Sequence, residues 1–346
     1  MAPVFFSTLY RLTAAVLALA AAGCGTPAGV VFPPPAAPVV FPAPPDRARV
    51  RFVGQIESDA DLKPAVSFAR QLSERMFGAR EILSLKTPLA VCTDGADRLF
   101  VADTTARVVH VFDLKTREYA RVTRANGQPF DQPVGLACDP SGRLYVADSS
   151  AGVIYVFDSA QKQIAEIGRG QLGRPCGLAF DARQSRLFVA DAGRHDVAVF
   201  SSAGQFQAVI GSRGTQLGQF NFPTNVALDS KGRLYVSDSL NFRIQQFDPD
   251  FHPIRQIGQN GDTPGSFGQP KGIAIDSQDH LYVVDANFEV VQIFDSDGTF
   301  LLDFGGEGPA PGQFWLPAGI FIDPRNRIWI ADSYNHRVQV LDYLPE

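Results

Sequence analysis

The stretch from Asn225 to Gly258, "NVALDSKGRLYVSDSLNFRIQQFDPDFHPIRQIG", contains four short runs of alternating β-branched and aromatic residues. Between them stand "SKG", "SLNF" and a second aspartate-bearing turn. Glycine and aspartate between short apolar alternations are the hairpin signature, so the stretch reads as a four-stranded antiparallel meander. One such meander cannot bury both of its faces, and the chain supplies it with neighbours. Units aligned with this one begin at Pro88, Pro133, Pro175, Pro223, Pro270 and Pro317, spaced 45, 42, 48, 47 and 47 residues apart. Six residues after each proline stands an aspartate: Asp94, Asp139, Asp181, Asp229, Asp276 and Asp323. An aromatic (Phe100, Tyr145, Phe188, Tyr235, Tyr282, Trp329) then precedes by three a second aspartate: Asp103, Asp148, Asp191, Asp238, Asp285 and Asp332. Four strands repeated at this period predict an all-β, six-bladed β-propeller over residues 88–346.

The two ends of the chain predict how the ring closes. The last unit stops at "VQVLDYLPE", after its third strand, while "RVRFVGQI" (Arg49 to Ile56) resembles the outer strands "PIRQIG" and "TFLLDFG". The N-terminal strand is therefore expected to complete the sixth blade and remove a sheet edge. Within the same segment, residues 49–87, Leu62, Val66, Ala69, Leu72 and Met76 follow helical spacing. An amphipathic helix packed on the ring as a latch is expected there, with a partner-binding helix as the alternative.

Ahead of the blades lie two segments of different composition. Residues 1–23 carry one basic side chain, Arg11, and an apolar run from Leu12 to Ala22 that is too short to span a bilayer. The run ends in "AAGC", which resembles the lipobox of bacterial lipoproteins and makes Cys24 the expected site of lipidation; a cleaved signal peptide with an incidental cysteine is the alternative. Residues 24–48 form a Pro/Ala-rich tether with eight prolines between Gly25 and Asp46. As extended polyproline II such a segment reaches roughly 70 Å, enough to hold a domain clear of a membrane. The expected location is extracytoplasmic, attached to a membrane through the lipid alone. Gly25, in place of a retention aspartate, favours the outer membrane.

The units resemble NHL repeats. "ADSYNHRVQVLD" (Ala331 to Asp342) and "GTFLLDFGGEGPAPGQFWLPAGIFID" (Gly298 to Asp323) follow that pattern closely, and "DSLNFRIQQFD" (Asp238 to Asp248) is a variant of it. The resemblance covers Pro88 to Asp342, with blades one to three more divergent. It implies the six-bladed fold; for function it leaves interaction platforms, lyases and hydrolases open. Lipoproteins of this architecture occur among electron-transfer and envelope gene sets, which points to an unknown protein or envelope component as partner, an electron-transfer protein among the candidates. The chain has no haem-attachment motif, so a redox role would belong to that partner.

Candidate chemistry is sparse. Both aspartate series fall where aspartate caps a turn, and a feature found in every blade reads as fold. Four residues after each strand-ending aspartate stand Arg107, Gly152, His195, Phe242, Glu289 and His336, with only two histidines among them. The other histidines, His110, His252 and His280, fall at different phases, so no zinc set converges. In six-bladed lactonases and amidating lyases, inner strands present acidic, amide or histidine groups to an axial metal. Here they read "AVCT", "GLAC", "GLAF", "NVAL", "GIAI" and "GIFI", and Asn225 is the one strong polar candidate in the channel. Cys92, Cys138 and Cys176 read as buried thiols, with a disulfide left open. "GSRGTQLGQF", "GQNGDTPGSF" and "GGEGPAPGQF" read as connectors in which Phe220, Phe267 and Phe314 fill gaps between blades.

These residues assign no catalytic group, metal or cofactor. A net charge of −5 with no basic run excludes nucleic acid as the partner. What remains is one rim, where Arg107, Arg194, His195, Asn241, Phe242, Lys271, Phe288, Glu289, Tyr334, Asn335 and His336 are expected to gather as a binding face. Repeat-encoded loops without a special role are the plainer reading. The expected function is that of a non-enzymatic protein- or ligand-binding platform. The alternatives are a hydrolase or lyase at the channel mouth, using His195 or His336, and a purely structural role in the envelope.

Overall fold

The computed structural model describes residues 26–95 and 97–344; Cys24 and the segment before it lie outside the described residues. Six antiparallel sheets stand around an axis, each with its first strand innermost. Blade four is Pro223–Leu228, Leu234–Asp238, Arg243–Phe247 and Pro253–Ile257, paired in that order. Second and third strands are buried on both faces, because each blade is covered by the next; Leu234–Asp238 and Arg243–Phe247 have no exposed residue. Phe220, Phe267 and Phe314 are fully buried, and Phe220 joins a cluster drawn from blades three and four.

Ring closure follows the sequence. Val50–Ile56 pairs antiparallel with Arg337–Tyr343, from Val50 opposite Tyr343 to Ile56 opposite Val338. The sixth sheet thus joins one strand from the start of the chain to three from its end, and Val40–Phe41 adds a fifth at the edge.

Two expectations for the N-terminal region are corrected. The proline-rich segment does not stand free as a spacer but lies along the ring. Phe32 packs edge-on against Trp329, with ring centroids 6.2 Å apart, and Phe41 packs against Phe304 at 5.8 Å. Gly54 and Gly312 make room for them: a Cβ at either position would sit within 2.7 Å of the Phe32 or Phe41 ring. Thr26 and Val66 exchange backbone hydrogen bonds of 2.8 and 2.9 Å. The helix is shorter than its periodicity implied, Phe68–Phe77, and no residue of it is buried, so it does not latch the ring. Leu62 is buried, but in a separate turn, Asp59–Leu62, and Val66 precedes the helix.

Candidate functional site

The conserved-looking aspartates of the repeat are occupied by the fold. Each strand-ending aspartate is buried and receives N–H groups from the loop entering its own blade. Asp148 accepts from Asp131 and Gln132 at 2.7 and 2.9 Å, and Asp285 accepts from Gly268 and Gln269 at the same distances. Burial raises the Asp103 carboxyl, but the His110 ring and the N–H groups of Ala106, Lys86 and Thr87 outweigh it and hold the group below its ordinary value. The turn aspartates close the first hairpin: Asp139 accepts from the backbone of Ser141 and Arg143 at 2.9 and 3.0 Å. The aromatic of the repeat completes this arrangement. Tyr145, Tyr235 and Tyr282 donate their hydroxyls to the turn aspartate at 3.2–3.3 Å, and Trp329 donates its indole N–H to Asp323. In blades one and three, where that aromatic is phenylalanine, an arginine lies over the ring, as Arg143 also does over Tyr145 in blade two.

The expected rim residues have a shared structural task. Arg107, Gly152, His195, Phe242, Glu289 and His336 all adopt left-handed backbone, with φ between 54° and 62°. At this position a side chain points across the blade boundary. Arg107 Nε donates to Phe130 O, and the Leu316 N–H reaches the Glu289 carboxylate. Phe222 N–H donates to His195 Nδ1 at 3.1 Å, while His336 Nδ1 donates to Lys86 O. The two histidines thus use Nδ1 in opposite senses, each bound to the entry loop of the following blade. Hydroxyls in the same loops of blades four and six also reach the following blade: Ser239 and Ser333 donate to the carbonyls of Pro270 and Pro88 at 2.6 Å. Asn241 and Asn335 each bridge their blade's aspartate and a connector carbonyl, Gly214 O and Gly308 O. Arg194 pairs with Asp196, and Phe288 is half-buried.

Arg107, Arg194 and His336 stay exposed on this rim, and so do two neighbouring aromatic side chains. Trp315 and Tyr334 are 51% and 52% exposed, with ring centroids 5.8 Å apart. Trp315 is missing from the expected face because it follows the plugging Phe314 in a stretch read as a connector. The signal was there: the equivalent residues in blades four and five are Asn221 and Gly268.

The axis holds a cavity of about 680 Å³ lined by all six inner strands. The second residue after the initial proline is Ala90, Gly135, Gly177, Asn225, Gly272 or Gly319. At this level the strands approach so closely that a Cβ on Gly135 would fall 1.8 Å from Cys176 O, and one on Gly319 2.4 Å from Leu89 O. Asn225 breaks this ring of small residues and lines the cavity, as expected. Lys271, expected on the rim, also lines the cavity. Thr224 Oγ1 lies 3.5 Å from Lys271 O, which places blade four's strand beside blade five's at that level. Leu136, Leu178, Val226, Ile273 and Ile320 make the wall apolar, and Lys271 is the one charged side chain of the lining. Burial pushes the lysine below its ordinary pKa. Among the described residues, neither its ammonium nor the Asn225 amide has a hydrogen-bond or ion-pair partner.

No set of three or more metal-binding side chains occurs among the described residues. His252 and His280 pair with the turn aspartates Asp248 and Asp276 on the opposite face. His110 is enclosed in blade one, 2.7 Å from the Tyr119 hydroxyl through Nδ1 and 3.4 Å from Asp103 through Nε2. Cys92 and Cys138, free thiols on neighbouring inner strands, lie 3.3 Å apart, and burial pushes Cys92 well above its usual value. Cys138 and Cys176 line the cavity.

The NHL repeat model matches residues 220–247 and 314–341, which run from the end of the connector through the first, second and third strands of blades four and six. The chain is a six-bladed β-propeller with NHL repeats in blades four and six. Residues 80–192 of the propeller also match the SMP-30/gluconolactonase/LRE-like region. No curated protein matches the propeller in sequence. Among solved structures, a catalytically inactive histidine-to-alanine variant of virginiamycin B lyase from Staphylococcus aureus, with quinupristin, is 13% identical at TM-score 0.55, covering 75% of this chain and 95% of that one. Kuenenia stuttgartiensis hydrazine synthase is 14% identical at 0.54, covering 76% and 97%. A nidogen/laminin complex is 17% identical at 0.56, covering 72% and 87%. At these identities the likeness is one of fold, and the three differ in what their names describe.

Proposed function

We propose that this propeller is a non-enzymatic binding protein, held outside the cytoplasm by a lipid at Cys24 and favouring an outer membrane, whose axial cavity takes an amphipathic anion. The observation that carries this reading is Lys271, an unpartnered ammonium lining a largely apolar cavity that Asn225 also lines. Lys271 is half-buried and its ammonium has no protein partner, and a ligand carboxylate or similar anion would supply one through a charge-assisted hydrogen bond. A cavity of about 680 Å³ accepts a small molecule with an apolar body.

The alternative, a lyase or lactonase-like activity, has the gluconolactonase-like match and the lyase neighbours in its favour. Against it stands the lining. The lyase is inactive when a histidine is replaced, whereas no histidine, aspartate or glutamate lines this cavity among the described residues. His195 and His336, the candidates for a base, are held to entry-loop backbone through Nδ1, and neither lines the cavity.

The test is calorimetric titration of the full chain with decanoate and with decanol. Decanoate should bind saturably, and Lys271→Met should weaken it by about tenfold or more while leaving decanol unchanged. Equal affinity for acid and alcohol, or an unaltered decanoate affinity in the variant, would remove the anion site.

A further inference from the structure

The helix Phe68–Phe77 presents an apolar stripe to solvent. Phe68, Leu72, Met76 and Phe77 are 40%, 45%, 62% and 83% exposed, and the first three recur every fourth residue on one face. Val30 and Ile82 add further exposed apolar surface. Four large side chains gathered on one short helix are more than the scattered single hydrophobics of an ordinary surface. They contribute nothing to the ring, so something else must cover them.

The chain before the described residues says what that is. Thr26, two residues beyond Cys24, is bonded to Val66 through backbone and to Gln71 of the helix through its side chain at 2.8 Å. A lipid on Cys24 therefore cannot insert far from this helix. The neighbouring contacts show which side of the ring is involved. Arg117, in the turn between the third and fourth strands of blade one, donates to Leu62 O, and Lys63 donates to Val30 O. Val30 to Phe32 also share a recess with Thr93, Asp97 and Arg325, which belong to the hairpin turns opposite the Trp315 rim.

We infer that the helix lies in the membrane interface beside the anchor, with Phe68, Leu72, Met76 and Phe77 among the acyl chains and its polar face, with Arg70 and Glu74, turned to the headgroups. At about 15 Å long it cannot cross a bilayer and binds only flat on it. One lipid chain alone gives marginal attachment, and an apolar helix at the attachment point provides the second signal that stable anchoring requires. This docking directs the rim carrying Trp315 and Tyr334 away from the membrane. The inference rests on the lipidation of Cys24 that the proposed function includes.

The experiment places an encoded dansyl side chain at Phe77 of the full chain, with a control at the exposed Ile254. Each variant is reconstituted into phosphatidylethanolamine/phosphatidylglycerol vesicles after growth with a clickable palmitate analogue. The expected result is blue-shifted emission at position 77, quenched about twofold or more by nitroxide-labelled lipid, and no quenching at position 254. Label on the chain with water-like, unquenched emission at position 77 overturns the helix docking alone. A chain that takes up no label and does not float with the vesicles removes the anchor, and the docking falls with it. Blue-shifted emission without vesicles would assign the stripe to a second copy of the chain instead.

Discussion

Replacing Asp332 by alanine strips the acceptor from four donors at once. The carboxylate takes hydrogen bonds from Trp315 N at 2.8 Å, Asn335 Nδ2 at 2.9 Å, Arg337 Nε at 2.7 Å and Gln339 Nε2 at 3.0 Å. Arg337 is itself 4% exposed and also donates to Gln55 of the closing strand and to the carbonyls of Pro309, Ala310 and Gln313. Removing one partner of a buried ion pair costs about 3–5 kcal/mol, because the other charge is left uncompensated. The carbonyls around Arg337 relieve part of that, while the other three donors add to it. A loss of about 4 kcal/mol is expected, or about 8 °C in Tm at roughly 2 °C per kcal/mol for a ring of this size. Urea unfolding followed by tryptophan fluorescence reads it directly, because Trp329 is buried in the same blade. The double variant D332A/R337M should recover at least about 1 kcal/mol, since it removes the stranded charge together with its partner. A D332A variant within about 1 kcal/mol of the parent would refute the assignment of these aspartates to the scaffold. Stability that fell on adding a chelator would refute it as well.

Two further expectations follow from the same geometry. Asp139 is pushed up by burial but held below its ordinary value overall by Ser141 and Arg143, and Asp103 is likewise depressed. A carboxylate depressed in the folded state contributes stability that is complete above its unfolded value of about 4 and is lost as pH falls through the folded value. Asp139→Asn should therefore flatten the decline in unfolding free energy below about pH 4; an unchanged slope would count against the depressed carboxylate. If the rim binds a protein, the exposed Trp315–Tyr334 pair is where contact is expected. A photocrosslinker at Tyr334 in the native cell should give one discrete adduct, abolished by Trp315→Ser, and none at His252 on the opposite face. Equal labelling at both positions would end that assignment.

The repeat made the ring legible, because a period of 42–48 residues with fixed aspartates can be satisfied only by stacked blades. Closure was legible for a related reason: an unfinished last unit and an orphan strand near the start leave one solution. Two kinds of feature were not legible. Proline content signals extended backbone, but it says nothing about sockets elsewhere in the chain, and Phe32 and Phe41 found theirs beside Trp329 and Phe304. Helical periodicity likewise cannot tell a stripe buried on protein from one left bare, and Leu72 and Met76 are bare. At the rim, residue types were read as chemistry where backbone conformation was decisive. His195, Glu289 and His336 share a left-handed position whose side chain meets the next blade, whatever that side chain is. The place of Lys271 in the cavity lining was not legible either, because the residue after each initial proline borders both rim and axis.

The closing strand also sets a timetable for biosynthesis. Arg51 pairs with Asp342 and Gln55 with Arg337, across 291 and 282 residues of chain. At a synthesis rate of roughly 5–20 residues per second, the early strand waits roughly 15–60 s for its partner to be made. Throughout that interval its edge is unsatisfied and open to pairing with another nascent chain. A message that ends early, anywhere before the final strand, yields an unclosed arc with two raw edges. The ring therefore couples quality control to synthesis of the closing pair: only a chain translated through Arg337–Tyr343 can cover Val50–Ile56.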